Sequence, residues 1–374
     1  MTVALGRGTG RQFGAGWISG VLAATCGALG YGGVLCLLFP DWLTTPAARA
    51  HYPMELIRFL IYTMLVIGFG LGALSVILRR RKVLGFTGLA LATAGTLLGG
   101  SGVEIKGSVE NTTAAGLDWF LLNLFVLALL FVPLERVAPR RPEQGIFRPG
   151  WTTDLMHFAM SHLMVQLTVV LTMLPAALFF RWATRPWLQD TIAAQPLVLQ
   201  VVEIVLVADL TQYWIHRAFH RVPWLWRLHA VHHSSETLDW LAGSRLHLID
   251  IVVTRGLSFV PLYVLGFAAP AIYAYLVFVS FLAVFIHANV RLNMKMLDWV
   301  VVTPRFHHWH HAAHPVDKNF AVHLPWLDRL FGTAHLPPGR WPDAYGIAGR
   351  PVPEGYWRQL VWPLQRVATS RPRP

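Results

Sequence analysis

Apolar runs of membrane-span length alternate with short polar, basic breaks along most of this chain. Residues 16–39 form the first run, followed by a loop at 40–55 that carries Pro, Asp and Arg. A second run, 57–78, ends in Arg79-Arg80-Arg81-Lys82, and a third, 83–101, is rich in Gly and Ala, which suits close helix contacts. A polar loop, 102–117, precedes a fourth run at 118–134, which ends in Glu135-Arg136 and Arg140-Arg141. Further runs cover 157–181 and 196–215, and 251–286 is long enough for two helices broken near Gly266 to Pro270. From 288 onward the chain is polar, aromatic and basic. The pattern predicts an all-α integral membrane protein, a transmembrane helical bundle under a polar cap. It separates an amino-terminal region of about four spans (1–138), a Pro- and Arg-rich connector (139–156), a second half (157–340) and a polar tail (341–374).

Composition agrees with the pattern. Hydrophobic residues make up 55% of the chain, charged residues only 13%, and mean hydropathy is +0.48. A soluble domain carries about 25% charged residues, so an ordinary soluble enzyme is excluded. The net charge of +12 sits in short clusters beside the spans. Membrane orientation and anionic lipid account for such clusters better than nucleic acid does. Placing both Arg clusters in the cytoplasm puts the amino terminus there too and leaves 102–117 outside. The sequon Asn111-Thr112-Thr113 in that loop is short enough to arise by chance. The first fifteen residues are a polar, basic tail, and the full-length run after them reads as a retained helix rather than a cleaved signal. The two cysteines, Cys26 and Cys36, lie in that run and build neither a zinc ribbon nor a disulfide framework. Gly-rich stretches at 6–14 and 68–76 follow no strand and support no nucleotide site.

Histidine changes the picture. Of 17 histidines, 12 fall between His216 and His314, several times an even spread. His216 and His220 are spaced i, i+4 at the end of a long apolar run, on one helical face. His229, His232 and His233 are spaced i, i+3, i+4, and His307, His310 and His311 repeat that spacing. Eight imidazoles would crowd one metal ion and suit two. The absence of a thiolate weakens structural zinc, and nitrogen-rich, partly open sites suit iron, copper or zinc. So many histidines at one membrane face favour a redox di-metal centre that binds dioxygen. Asp209 lies within a span, where a carboxylate is costly, and is expected to accept the second N–H of a ligating histidine. Tyr213, one turn before His216, is a second supporting candidate. His308 and His314 break the period and are expected to face phosphate, substrate or water. His157 and His162 read as polar packing, and His51, His323 and His335 as surface residues. Most of the 16 Trp residues are expected at the membrane interface.

HRAFH at 216–220, HAVHH at 229–233 and HHWHH at 307–311, in this order, resemble the three histidine boxes of the fatty acid hydroxylase and sterol desaturase superfamily of integral-membrane di-iron oxygenases. The stretch DKNFAVHLPWLDRLFGT at 317–333 is similar to that family's continuation, and the resemblance covers about 150–340. It implies a small helical bundle, with 157–340 as the catalytic domain, under a cytoplasmic histidine-rich cap holding two iron ions. The implied reaction is O2-dependent hydroxylation or desaturation of a lipid, with electrons from a separate donor of ferredoxin, rubredoxin or cytochrome b5 type. Zinc is expected to replace iron in overproduced protein. His216, His220, His229, His232, His233, His307, His310 and His311 match the boxes. His287, in FIHANVRL, matches a further histidine of the family. His247 falls where many members carry Arg-x-His-Pro-x-Glu, here Arg245-Leu246-His247-Leu248-Ile249-Asp250, with Leu in place of Pro and Asp in place of Glu. The rival readings are weaker. A polytopic metal transporter would distribute ligands through its spans, a bis-histidine haem protein needs far fewer histidines, and a metalloprotease would show HExxH, which is absent. The substrate stays open among sterol, fatty acyl chain, ether lipid and carotenoid, as does the role of the first four spans.

Overall fold

The computed structural model describes residues 16–45, 49, 52–105, 115–292, 294, 296–349 and 351–365. The amino-terminal tail, the Asn111 sequon, His51 and the last residues of the carboxyl-terminal tail lie outside the described residues. Among the described residues the framework is helical with no strand, and two isolated bridges pair Pro139 with Val290 and Ala312 with Tyr345. Six helices among the described residues are long and apolar enough to span a membrane, so the chain is a multi-pass membrane protein. Contacts divide it into two units, 1–126 with 162–166, and 127–161 with 167–374.

The first unit is built on α1 (Trp17–Leu38), α2 (Met54–Leu78) and α3 (Val83–Leu97), with the first turns of α4 (Leu117–Val137). Small residues set its packing. A Cβ at Gly88 would stand 2.6 Å from the Cβ of Ala23, and one at Gly68 would stand 2.8 Å from the Gly27 amide nitrogen. Only glycine lets those backbones meet, the usual device where no hydrophobic effect drives helices together. Val34, Leu37, Ile61, Leu65, Ala92 and Val103 fill the space between them. Ile77, Val83 and Leu97 stand more than 70% exposed, as lipid-facing side chains do.

The second unit follows the rest of α4. Residues 157–181, expected as one span, form two helices, α5 (Trp151–Leu163) and α6 (Val165–Phe180), bent by 57° at the break. Ser161 and His162 interrupt the apolar run there. The short α7 (Pro186–Ala193) leads to α8 (Leu197–Arg221), which continues past the end of the apolar run and carries His216 and His220 within its last turns. The buried face of α8 runs through Gln200, Ile204, Ala208, Tyr213, His216 and His220. One stripe at helical spacing thus changes from apolar packing to chemistry as it ascends.

α9 (Pro223–His233) begins with proline at its first position, where the missing N–H costs nothing. α10 (Leu248–Leu265) ends at Gly266, whose φ of 76° gives the left-handed cap that lets the chain turn back into α11 (Ala269–Phe285). α8 packs against both, around Ile204, Ala208, Leu262, Ala271 and Tyr275. Thr303 caps α12 (Pro304–His310), its Oγ1 accepting from the Phe306 amide. The short helices α13 (Trp326–Leu330) and α14 (Tyr356–Val361) close the cap.

Candidate metal centre

Nine buried histidines converge on two adjoining points. His216, His220, His229, His233 and His310 offer ring nitrogens within 4.8 Å of one another, and His232, His287, His307 and His311 form a second such group. These are the eight box histidines together with His287. The helix period explains how the boxes sort. Each i, i+4 pair stays together: 216 with 220, 229 with 233, and 307 with 311. The i+3 member, turned by about 100° from its neighbour, goes to the opposite group. His232 therefore leaves His233, and His310 leaves His311, so α9 and α12 each contribute to both groups.

Within each group the ring nitrogens stand about a hydrogen-bond length apart. The Nε2 atom of His287 lies 3.3 Å from that of His232, 3.1 Å from that of His311 and 3.0 Å from that of His307. In the first group the Nε2 atoms of His216 and His229 are 3.0 Å apart. Six of the nine rings are oriented by a hydrogen bond from the other nitrogen. Nδ1–H of His216 donates to the Phe320 carbonyl at 2.7 Å, His310 to Lys318 at 2.8 Å, His232 to Arg245 at 3.1 Å and His287 to Ala283 at 2.6 Å. His229 donates to Asp250 Oδ2 at 2.8 Å and His220 to Asp317 Oδ1 at 3.2 Å. With Nδ1 protonated, each Nε2 presents a lone pair, and these lone pairs face one another. Nε2 of His233 and of His310 are buried with no hydrogen-bond partner. A cation resolves this arrangement, since metal–nitrogen bonds of about 2.0–2.1 Å in a tetrahedral set hold their nitrogens roughly 3.3–3.4 Å apart. The donor set therefore fits a metal ion in each group.

Electrostatics favours the same state. Burial, then repulsion from neighbouring rings, holds His232, His233, His307, His310 and His311 well below the ordinary imidazole value. Burial takes His287 down to about 4. Neutral imidazole is the form that binds a metal.

One loop serves the first group. Residues 317–320 supply the Asp317 carboxylate and the Lys318 and Phe320 carbonyls, and Asp317 and Asn319 adopt φ of 61° and 57° to do so. Asp and Asn are the side chains that, after glycine, adopt this left-handed backbone most readily. Asp328 accepts the Phe320 and Ala321 amides at 2.7 and 2.8 Å, and Asn319 bonds the Phe306 and His335 carbonyls.

Asp209 belongs to this scaffold and reaches none of the nine histidines. It accepts from the Val322, His323 and Leu324 amides and from His323 Nδ1 at 2.9 Å. Residues 322–324 cross the helix at Asp209, while His216 stands two turns further on. Tyr213 bonds Thr333 Oγ1 at 2.8 Å, again away from the histidines. His247 lies in neither group. Both of its nitrogens are engaged, Nδ1 accepting the Ile249 amide that starts α10 and Nε2 bonding the Leu360 carbonyl. His308 is buried and bonds Tyr345 and the His287 carbonyl, so it faces neither phosphate nor water. His314 is exposed. His157 bonds Leu246 and Gln359. His323 is fully buried and His335 half-buried, so neither is a simple surface residue.

Sequence reasoning named Asp250 only as the residue in place of the family's Glu, and did not single out Asp317 or the ion network behind Arg245. Arg148 pairs with Asp154 at 2.5 Å and with Asp239 at 2.7 Å, and Arg245 Nε donates to Asp154. All four are buried, and the network fixes the backbone whose carbonyl orients His232. The available signal was scarcity. The chain holds only 19 acids, and Asp250 opens an apolar helix.

Residues 201–333 match the family model for fatty acid hydroxylases. The ornithine lipid hydroxylase OlsE of Rhizobium tropici is 35% identical over 173 residues, 46% of this chain and 52% of that protein. The alkylglycerol monooxygenase of Homo sapiens is 34% identical over 131 residues, 34% of this chain and 29% of that protein. Methylsterol monooxygenase 1 of Danio rerio is 24% identical over 221 residues, 57% of this chain and 72% of that protein. The chain thus spans about half the length of the first of these relatives and under a third of the second. No solved structure matches it. The segment that carries the histidines, 201–333, thus matches a fatty acid hydroxylase domain.

Proposed function

We propose that this protein is a membrane oxygenase that hydroxylates, or desaturates, a C–H bond of a lipid. The observation that carries this reading is the convergence of nine buried imidazoles in two groups whose ring nitrogens point at one another. In this reading His216, His220, His229, His233 and His310 hold one iron ion, and His232, His287, His307 and His311 hold the other. Both cysteines lie in α1, so the ligands are nitrogen alone, a set that suits iron and also accepts zinc in overproduced protein. When bound, the iron pair supplies activation of O2. The chain's own residues bury the imidazoles, orient six of them through their Nδ1 atoms and exclude water. The apolar faces of α8, α10 and α11 offer hydrocarbon surroundings for the substrate chain. The relatives are named for action on ornithine lipid, alkylglycerol and methylsterol, which supports an amphipathic lipid substrate here. Electrons would come from a separate ferredoxin, rubredoxin or cytochrome b5 type donor, and the Arg clusters at 79–81 and 140–141 would put the site and both termini in the cytoplasm.

Comparative lipidomics of cells with and without the chain tests the proposal. A lipid heavier by one oxygen, or lighter by two hydrogens, should depend on the chain and disappear with His232→Ala. An unchanged lipidome would sink it, and so would purified active protein that contains one metal ion or none.

A further inference from the structure

The first unit contains an apolar cleft of about 150 Å³ between α1, α2 and α4. Leu37 of α1, Met64 of α2, and Leu121 and Phe125 of α4 line it. Met64, Leu121 and Phe125 are only half-buried, so the cleft opens sideways between α2 and α4. A cavity of roughly this size takes one small hydrocarbon such as benzene. The cleft therefore encloses a segment of one hydrocarbon chain, and the remainder would leave through the side opening.

One end of the cleft is polar, formed by Arg49, Tyr52 and Asp118. Asp118 is already satisfied. It accepts from the Thr45 amide and hydroxyl, from the Trp119 amide at 2.7 Å and from the Tyr52 hydroxyl at 2.8 Å. Burial, then the Asp118 charge, pushes the Tyr52 phenol well above its ordinary value, so it remains a donor to that carboxylate. Arg49 is different. Its side chain is 10% exposed, and Nη1 reaches Asp41 at 3.6 Å. Nε and Nη2 are buried with no partner. Those two atoms form the side-on edge of the guanidinium, which takes a carboxylate or phosphate through two parallel hydrogen bonds. Leaving a buried charged donor unmet costs more than leaving a neutral one.

We propose that the first unit binds an anionic single-chain amphiphile, with its carboxylate or phosphate on the Nε and Nη2 edge of Arg49 and its hydrocarbon chain in the cleft between α2 and α4. The site shares no residue with the histidine groups, and its test requires no turnover.

The test uses the purified full chain in neutral detergent and palmitic acid carrying a mid-chain diazirine. Saturable cross-linking should map to the peptides containing Met64 and Leu121. Unlabelled palmitate and lysophosphatidate should compete, and inorganic phosphate should not. The methyl ester of the probe and the Arg49→Gln variant should each label at least tenfold less, with Arg49→Lys in between. Equal labelling by the ester, or by Arg49→Gln, overturns the proposal. Displacement by inorganic phosphate alone overturns it in favour of a free-anion site. Should Arg49→Gln fail to accumulate in the membrane, Met64→Trp decides, because it fills the cleft and leaves Arg49 in place. Undiminished labelling of that variant also overturns the proposal.

Discussion

Four of the five histidines in the first group donate Nδ1–H to an acceptor, and two of those acceptors are carboxylates. In the second group two of four do so, and both acceptors are backbone carbonyls. Nδ1 of His307 and of His311 is buried with no partner. A carboxylate behind an imidazole raises its basicity and fixes its ring more firmly than a carbonyl does. The first group is therefore preorganised by charge and by one loop that supplies three of its acceptors. The second depends more on its histidines pressing against one another. In the proposed enzyme the ion in the first group should be the more tightly held and the last removed by a chelator.

The largest expected effect comes from removing a ligand. His229→Ala in the first group and His232→Ala in the second should each lose more activity than the roughly 10–100-fold typical of residues behind the ligands. Both variants should remain in the membrane, because the apolar spans drive insertion. Metal analysis sharpens the comparison. His232→Ala should keep about one ion per chain, whereas His229→Ala leaves the weaker group to hold its ion alone. Full turnover by either variant removes that residue from the ligand set.

Next in size is Asp250→Asn. The amide keeps the shape and can still accept from His229 but loses the charge. The affinity of one ion should fall by about 10–100-fold, the other staying as in the parent. Equal loss of both ions would erase the distinction between the groups.

These two predictions also separate what the sequence made legible from what it did not. The spans are long apolar runs, and the box histidines follow the helix period, so both are local signals. The break in 157–181 was hidden because a few polar residues barely lower the hydropathy of a long run. The acceptors behind the histidines are invisible for a different reason. His216 and Phe320 are separated by 104 positions, and Arg148 and Asp239 by 91. A backbone carbonyl carries no residue-type signal at all. Asp209 shows the limit of a correct cue, since a carboxylate in a span does have partners. They lie on a loop more than 110 positions away, outside the helix face on which His216 pointed to it.

Asp209→Asn should consequently act on folding more than on metal. Three amides and His323 Nδ1 share a fully buried carboxylate. Losing its charge should cost about 1–3 kcal/mol of stability, read as a lower melting temperature in detergent. The metal content of the folded fraction should stay near that of the parent. A selective loss of one ion without loss of stability would return Asp209 to the metal centre.

The smallest effect should come from Asp317→Asn. Asp317 and Asp250 both accept from a first-group histidine, yet their settings differ. Asp317 has a side chain 25% exposed and accepts at 3.2 Å, against 4% and 2.8 Å for Asp250. Water screens the more exposed charge, so the pair contributes less. Asparagine also tolerates the left-handed backbone that Asp317 adopts at φ 61°, so the loop should keep its path and the Lys318 and Phe320 carbonyls their places. What changes is the charge behind His220, which also lies 3.9 Å from Arg221 Nε. First-ion affinity should drop by less than about tenfold, below the range set for Asp250. The comparison must be read against Asp317→Val, whose branched side chain resists positive φ and should displace the loop. If Asp317→Asn costs as much as Asp317→Val, the carboxylate and not the loop geometry holds the first group together. If Asp317→Asn matches the parent while Asp317→Val loses the first ion, backbone shape is the stronger support, and the contrast between the two groups rests on the loop more than on charge.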